Sequence, residues 1–523
     1  MDFAQKDASN PLIKILEPQP KEPVPEEARI VVHAAVSRFA FLYERIRNAV
    51  DYKDEHLLRK SAVNRILGRQ LILEVKPEVI ANNLVRELIG ARYLPNGELP
   101  DTMITEVAGR VGKYLAIQQT KIGSEKHLAW LRGLLAVEIE EVLVDLRQEK
   151  AIVTYLYEKI ADRITVQGAV VDERELRLQL YLACYRTLFK ADNETLGFKL
   201  LRAYLPDWLR PDDWLADPRG MAERLVEVEK RVRASLTHPL ALRFLRVVKP
   251  WAVSLNIIRD ALTEKPLEAK NLIEKPESLR LAASRLAERR YRQAKGRLRR
   301  GAVRATIYLF ATKMIMAFAL EVPLEYIWYK QVAYFALVIN ILLPPLLMFT
   351  VSLFIRIPGR DNTEKIQANA ALLLGDGPIP LREIRVPKKR NLESRILFGF
   401  LYAAMFILTF GFIGVMLAAL EFTWFSAAIF FFFLCVVSFF AFRLRQNARE
   451  FVVVEGKDRI YYLAMDFVSL PVLRAGSWLS RSISRLNVFL FFLDFLVEAP
   501  FKIFLTVLEE WFGFMKEKKE ELQ

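Results

Sequence analysis

The sequence predicts a mainly α-helical protein: a cytosolic multi-helix bundle, a four-helix transmembrane region and a C-terminal amphipathic helical tail. Three observations lead to this fold class. Apolar residues recur at three-to-four spacing through residues 28–275, as in helices that bury one face. Four long apolar stretches then follow within residues 305–442, in two closely spaced pairs. Lys and Arg residues cluster on only one side of these stretches, which is the pattern of cytosolic flanks.

Composition and charge narrow the possible partners. The 523 residues carry a net charge of +15, which favours an anionic partner such as lipid headgroups. Only Cys184 and Cys435 are present, far apart in the chain, so we expect no disulfide framework, no zinc site and a reducing compartment. No cofactor is expected either.

The chain divides into seven predicted segments. Residues 1–27 are rich in proline and acidic groups and lack the apolar core of a signal peptide. The segments are 1–27, a disordered tail; 28–275, a cytosolic all-helical domain; 276–304, a basic juxtamembrane helix; 305–355, transmembrane hairpin 1; 356–395, a cytosolic loop; 396–442, transmembrane hairpin 2; and 443–523, a cytosolic tail with a short β-hairpin and amphipathic interfacial helices.

The four apolar stretches have the lengths of membrane helices. They cover Ala305 to Val322 or Trp328, then 332–355, 396–420 and 424–442. A span needs about 20 residues to cross a hydrocarbon core about 30 Å thick. Because the basic flanks all lie on one side, we expect a multi-pass protein of the inner or plasma membrane with both termini in the cytoplasm.

The basic helix and the tail carry candidate contacts to anionic lipid. Each Lys or Arg near an anionic surface contributes about 1 kcal/mol to membrane binding. Nucleic-acid tethering is a rival hypothesis, but Tyr291 is the only aromatic residue of this helix, so stacking on bases has little support. The candidate residues are Arg289, Arg290, Arg292, Lys295, Arg297, Arg299 and Arg300 in the helix, with Arg481 and Arg485 in the tail.

Polar residues inside hairpin 1 form a candidate intramembrane site. Lys313 precedes the outer loop by about as many residues as Asn340 follows it, so an antiparallel hairpin places both at one depth. Pro344 and Pro345 come next and are expected to break or kink the second helix. These groups would line a polar pathway or, alternatively, would only satisfy each other in a kinked hairpin.

The cytosolic half offers two weaker candidates. Trp208 and Trp214 occur in repeated Trp-Leu pairs and form a candidate docking loop. The alternative, which we favour, is that both tryptophans fill a gap between helices. Glu138, Glu140 and Glu141 form an acidic patch, which we interpret as a solvated helix face and not as a metal site. No established catalytic, nucleotide or metal motif occurs, so we expect that the protein is not an enzyme.

Strand-like segments are few. Residues 164–171, 371–377 and 451–462 are the candidates, the last as a hairpin. Residues 488–514 carry one narrow polar stripe, which favours a helix in the membrane interface, or packed on the other helices, over a fifth crossing.

These patterns favour a membrane-anchored scaffold or interaction protein whose helical domain binds a protein partner. The alternative is a small transporter or channel component that uses the level of Lys313, Asn340, Pro344 and Pro345. A homo-oligomer is possible under either hypothesis.

Overall fold

The computed structural model describes the helical domain and most of the apolar half. Predictions for the β-hairpin beyond residue 454, for Arg481 and Arg485 and for residues 488–514 lie outside the described residues. The described residues are 11–16, 25, 28–32, 41, 44, 55–74, 76–168, 172–264, 272, 275–353, 358–375, 377–386, 391–448, 450–454 and 469–480.

Helices dominate, as the apolar spacing predicts. Side chains at four helix starts accept a hydrogen bond from a backbone N–H of the first turn: Ser124, Asp172, Asp192 and Asp217. Each such cap typically adds about 1 kcal/mol. The helices before the apolar half are α1 (Pro11–Leu16), α2 (Glu55–Leu73), α3 (Pro77–Gly90), α4 (Thr102–Gln119), α5 (Glu125–Leu143), α6 (Arg147–Ala161), α7 (Glu173–Phe189), α8 (Asn193–Tyr204), α9 (Pro218–Leu236) and α10 (Ala241–Glu264).

The first helix lies in a segment for which the sequence predicted disorder. Helix α1 packs against α6 and α10, and its Leu12 is fully buried. Burial of this apolar residue against the domain outweighs the disorder-promoting composition around it.

A small parallel sheet links the domain to a segment between the apolar helices. Strand β1 (Ile164–Gln167) lies within the predicted strand candidate and pairs with β2 (Arg382–Arg385). The sequence had assigned β2 to a loop. The strand predicted at 371–377 is wrong in its apolar part, because α14 (Arg360–Leu374) runs through it as a helix.

The apolar half begins with one uninterrupted helical rod. Helix α11 (Pro276–Met316) continues through a π-helical turn, Ala317–Glu321, into α12 (Val322–Tyr329). The chain turns at Lys330, whose φ of 57° lies in the left-handed region. The remaining helices are α13 (Tyr334–Leu353), α15 (Leu392–Ala419), α16 (Trp424–Ala448) and α17 (residues 469–480).

Three described helices are long and apolar enough to cross a membrane. They are Glu277–Tyr329, Leu392–Ala419 and Trp424–Arg443, and the shorter apolar helix Tyr334–Thr350 accompanies them. Helix α13 packs between α11 and α16. Only 6% of the apolar window of α15 is buried, so that helix presents nearly all its surface outward. The sequence predicted that α15 and α16 pair with each other as hairpin 2. In the structure, α16 packs mainly on α13 of hairpin 1.

The core of the helical domain also includes the segments that flank the apolar helices. These segments had been predicted as a juxtamembrane helix, a loop and a tail outside the domain. Their side chains lie in the same buried cluster as the domain helices. The buried flank residues are Ala282, Ala283, Leu286, Ala287 and Tyr291 of α11; Ile366, Ala370 and Leu373 of α14; Ile384 of β2; and Phe451 and Val453 after α16.

Asn362 joins three of these flanks at one buried point. Its amide nitrogen donates to the Tyr291 hydroxyl at 2.7 Å and to the Phe451 carbonyl at 2.8 Å. Its amide oxygen accepts from the backbone N–H groups of Val453 at 2.6 Å and Val454 at 3.1 Å. Asn362 of α14 therefore joins α11 and the segment after α16 inside the core of the helical domain.

Candidate functional site

A buried polar cluster lies at the end of the apolar helices farthest from the helical domain. Lys313, Glu321 and Glu325 project from the first rod. In an ideal α-helix, residues eight apart differ by about 80° in direction after two full turns. The π-helical turn between Lys313 and Glu321 has more residues per turn, so it rotates Glu321 back toward the face of Lys313. Glu325 follows four residues later on the same face.

Glu321 is the centre of the cluster. Its Oε2 lies 3.6 Å from the Lys313 ammonium, and the two side chains are 1% and 0% exposed. Its Oε1 accepts hydrogen bonds from the Asn340 amide and the Ser426 hydroxyl. Asn340 also donates to the Ser426 carbonyl at 3.3 Å. Three residues, one each from the first rod, α13 and α16, therefore converge on the Glu321 carboxylate.

Glu325 forms the outer part of the cluster. It accepts a hydrogen bond from the Thr423 hydroxyl at 2.8 Å and another from the Ala333 backbone N–H at 3.3 Å. The Thr423 oxygen in turn accepts from the Ser426 N–H at 3.1 Å, where α16 begins. Beside it, Trp328 and Trp424 stack with ring centroids 5.4 Å apart.

Three polar atoms in the cluster have no hydrogen-bond partner. They are Lys313 Nζ, Glu321 Oε2 and Asn340 Oδ1. The ammonium lies 4.4 Å from the centre of the Phe433 ring, which offers a cation–π contact. A buried polar atom without a partner typically costs about 1–3 kcal/mol. The ion pair between Lys313 and Glu321 offsets part of this cost for two of the three atoms.

The cluster modifies the predicted intramembrane site. Lys313 and Asn340 do come together, but through Glu321 of the π-helical turn, which was not among the predicted site residues. Pro344 and Pro345 are accommodated inside α13 without ending it. Since Pro344 has no N–H for the carbonyl four residues earlier, it leaves the Asn340 carbonyl without its helical donor. Helix α16, which belongs to the predicted hairpin 2, supplies Ser426 to the cluster.

The candidate docking loop has buried tryptophans. Trp208 is fully buried and Trp214 is 7% exposed, and their rings stack at 5.2 Å. The Trp208 indole donates to Glu138 at 3.2 Å and lies 4.2 Å from the Lys113 ammonium. The structure thus agrees with the gap-filling alternative. The prediction that these tryptophans form an exposed docking surface is wrong, because both rings are buried in the domain core.

The acidic patch is buried and paired with cations. Glu138 accepts from Lys113 at 2.5 Å, and Glu140 lies 2.9 Å from Arg59. Burial raises the pKa of Glu140 to about 7, although Arg59 opposes that rise. Burial also lowers the pKa of Lys113, against the pull of Glu138. The predicted solvated face is therefore wrong, and the described residues contain no cluster of His, Cys, Asp and Glu that could hold a metal ion.

The candidate lipid contacts on α11 divide into three groups. Arg289 and Arg290 pair with Glu264 and Asp260 of α10, so they help to hold α11 on the domain. Arg292 lies 3.9 Å from Glu288 on its own helix. The other four are exposed, and no ion pair to a described acid involves them: Lys295, Arg297, Arg299 and Arg300.

Comparisons with protein-family models, with curated proteins and with solved structures found no match for this chain.

Proposed function

We propose that this chain is a multi-pass membrane protein that acts as an anchored interaction protein, with its helical domain binding a protein partner on the cytosolic face. The observation that carries this proposal is the shared core of the domain and the membrane flanks. Residues before α11's apolar part, between α13 and α15, and after α16 all pack in that core. Such a domain is held against the membrane at several points.

The flanks also support the proposed orientation. If Glu277–Tyr329, Tyr334–Leu353, Leu392–Ala419 and Trp424–Ala448 each cross the bilayer, their domain-side ends share one side of it. The exposed Lys295, Arg297, Arg299 and Arg300 lie on that side, between the domain core and the apolar part of α11. Lys and Arg near membrane helices favour the cytoplasmic face, so the domain and both termini belong there.

A cysteine-accessibility experiment tests this topology. Both native cysteines are buried, which gives a low labelling background. A cysteine at Glu421, in the short turn before α16, should react with a membrane-impermeant maleimide added outside intact cells. A cysteine at exposed Lys365 in α14 should react only after the membrane is permeabilised. The reverse pattern, or labelling of both from outside, would reject the four-crossing arrangement.

The partner surface is best sought around the loop that contains the two buried tryptophans. Leu209 and Leu215 follow those tryptophans and are 42% and 39% exposed. A photo-crosslinking residue at either leucine of the full-length protein, in native membranes, should give a discrete protein adduct. The control position is Ile72 on α2, which is 75% exposed and distant in sequence.

A double substitution tests whether the partner docks at this loop. Leu209→Asp with Leu215→Asp should abolish an adduct formed from a crosslinker placed next to them, while membrane insertion stays normal. An adduct that forms equally from Ile72, or that survives the double substitution, would remove the support for docking at this loop.

The second candidate function is a small transporter or channel component, and the buried polar cluster favours it. Lys313 and Asn340 meet on Glu321, and three buried polar atoms there lack a hydrogen bond, an arrangement typical of functional sites within membranes. Proteoliposomes containing the wild-type protein should then pass a small ion, measured with ion-sensitive dyes. Lys313→Leu and Asn340→Leu should each reduce that flux at least tenfold. Equal flux from all three proteins would eliminate this candidate.

A further inference from the structure

Helix α17 lies against two of the apolar helices. Its Gly476 packs so closely on α16 that a Cβ there would collide with the Cys435 carbonyl and the Phe439 side chain. On the same helix, the Arg474 guanidinium lies 5.3 Å from the centre of the Tyr402 ring of α15. Helix α17 therefore bridges α15 and α16, and these contacts fix its position along both of them.

The contacts also fix the depth of α17. Arg395 and Arg443 mark the domain-side ends of the apolar parts of α15 and α16. At about 1.5 Å per residue, Tyr402 lies about 10 Å along α15 from Arg395, and Cys435 lies about 12 Å along α16 from Arg443. Two helices thus give the same depth independently. If both cross the bilayer, α17 lies within its cytosolic half.

Helix α17 is too short to cross the membrane by itself. Residues 469–480 extend about 18 Å, whereas the hydrocarbon core is about 30 Å thick. Phe451 and Val453, which precede α17 in the chain, pack in the core of the helical domain. The chain therefore reaches α17 from the domain side and enters only one leaflet there.

The outward face of α17 carries a charge. Val472 and Gly476 are buried, whereas Arg474 and Trp478, four residues apart on one face, are exposed. Trp478 is 64% exposed. The Arg474 guanidinium makes no hydrogen bond and no ion pair with a described residue, and its contact is the Tyr402 ring.

An unpaired guanidinium at this depth requires an anion. A charged side chain within a bilayer is strongly disfavoured unless it is paired or reaches the headgroups, and a cation–π contact does not neutralise it. The long Arg474 side chain can extend toward the headgroup level, where phosphates are the available anions. A guanidinium binds a phosphate through two parallel hydrogen bonds. Trp478 suits the same level, because tryptophan favours the membrane interface.

We propose that α17 is a helix partly inserted into the cytosolic leaflet and that its Arg474 binds the phosphate of an anionic phospholipid beside Tyr402. The headgroup carries the net negative charge that the guanidinium lacks within the protein. This inference rests on the proposed membrane topology, in which α15 and α16 cross the bilayer. It is independent of partner binding by the helical domain.

Spin labelling of the full-length protein in lipid nanodiscs tests the depth. A nitroxide at Trp478→Cys should collide more often with membrane-soluble oxygen than with a water-soluble nickel chelate. Leu408→Cys on α15, which is 71% exposed, is the reference within the membrane, and Lys365→Cys on α14 is the aqueous reference. Both native cysteines are buried, which limits background labelling.

Native mass spectrometry tests the lipid site. Full-length protein released from nanodiscs of equal phosphatidylglycerol and phosphatidylcholine should retain phosphatidylglycerol preferentially. Arg474→Gln should weaken this retention about fivefold. Arg474→Lys keeps the charge but loses the paired hydrogen bonds, so its retention should lie between the two. The matched control is Arg231→Gln on α9, because Arg231 is exposed and pairs with Glu227 of its own helix.

Three results would overturn the inference. A label at Trp478→Cys that is as accessible to nickel as the label at Lys365→Cys would show that α17 is not inserted. If the Leu408→Cys label is equally accessible to nickel, the proposed topology fails as well. Equal lipid retention by Arg474→Gln and the wild type would reject the lipid site. Displacement of the bound phosphatidylglycerol by inorganic phosphate would assign the site to a soluble phosphate compound instead.

Discussion

Replacing Asn362 with alanine should loosen the attachment of the helical domain to the membrane helices. The side chain is 4% exposed and makes four hydrogen bonds, to Tyr291, Phe451, Val453 and Val454. Alanine removes all four and leaves a hydroxyl, a carbonyl and two backbone N–H groups in a buried position.

The magnitude follows from those contacts. A net contribution of about 1 kcal/mol per hydrogen bond gives a loss of about 3–4 kcal/mol, if water reaches one of the vacated groups. Each kcal/mol lowers the melting temperature of a domain of this size class by about 2–4 °C. We therefore expect a decrease of about 6–16 °C in the Asn362→Ala protein.

The measurement is thermal unfolding of the full-length protein in nanodiscs, followed by tryptophan fluorescence. Gln367→Ala is the matched control, because Gln367 lies on the same helix and makes one exposed hydrogen bond to the Arg280 carbonyl at 3.2 Å. It should lower the melting temperature by at most about 2 °C. If Asn362→Ala loses no more than this control, Asn362 does not hold the flanks together.

Three further substitutions test other parts of the structure. Trp208→Ala should cost about 3–5 kcal/mol in the free energy of unfolding, since the ring is fully buried, and denaturant titration against Leu209→Ala checks it. Gly476→Val should detach α17 from α16, because a Cβ there collides with the Cys435 carbonyl; faster protease cleavage near residue 476 would report this, and unchanged cleavage would contradict it. Glu140 holds a proton in the folded protein between its ordinary pKa of 4.5 and about 7, so wild-type stability should fall as pH rises through that window. Glu140→Gln should remove up to about 3 kcal/mol of that fall, and parallel pH profiles of the two proteins would show that its proton is not bound.

Local patterns were sufficient to predict most of the helices. Three-to-four apolar spacing depends only on neighbouring residues, and the structure confirms the helical class there. Residues 164–167 were also identifiable as a strand from their β-branched composition. Its partner β2 was not, because Arg382–Arg385 contains a single apolar residue, and its pairing depends on a contact more than 200 residues away.

The site was predicted only in part, for a related reason. Depth along a hairpin brought Lys313 and Asn340 to one level, since that argument needs only residue counts. Glu321 was missed because a glutamate usually marks the end of an apolar span. The available signal was the mostly apolar stretch after it, from Val322 to Trp328, in which Glu325 is the only charged residue. This stretch indicates that the helix does not end at Glu321.

The burial of polar groups in the domain likewise could not be predicted from the sequence. Glu138 and Glu140 lie on a helix whose apolar residues occupy more than one face, so spacing alone did not separate a solvated side from a buried one. Their basic partners Lys113 and Arg59 come from distant helices. Such ion pairs are set by the packing of helices and not by local spacing.

The rod from Glu277 to Tyr329 is one helix that packs in the domain core at one end and among the apolar helices at the other. This helix therefore fixes how the domain core is rotated relative to the apolar helices. Inserting one residue in the exposed basic stretch would turn one core relative to the other by about 100° and raise it by about 1.5 Å. Asn362 and its partners would then no longer align with Tyr291 unless the other flanks changed as well. Packing at both ends therefore constrains the length of this stretch, whereas its exposed side chains can vary. We expect relatives of this protein to differ there by substitution far more often than by insertion or deletion.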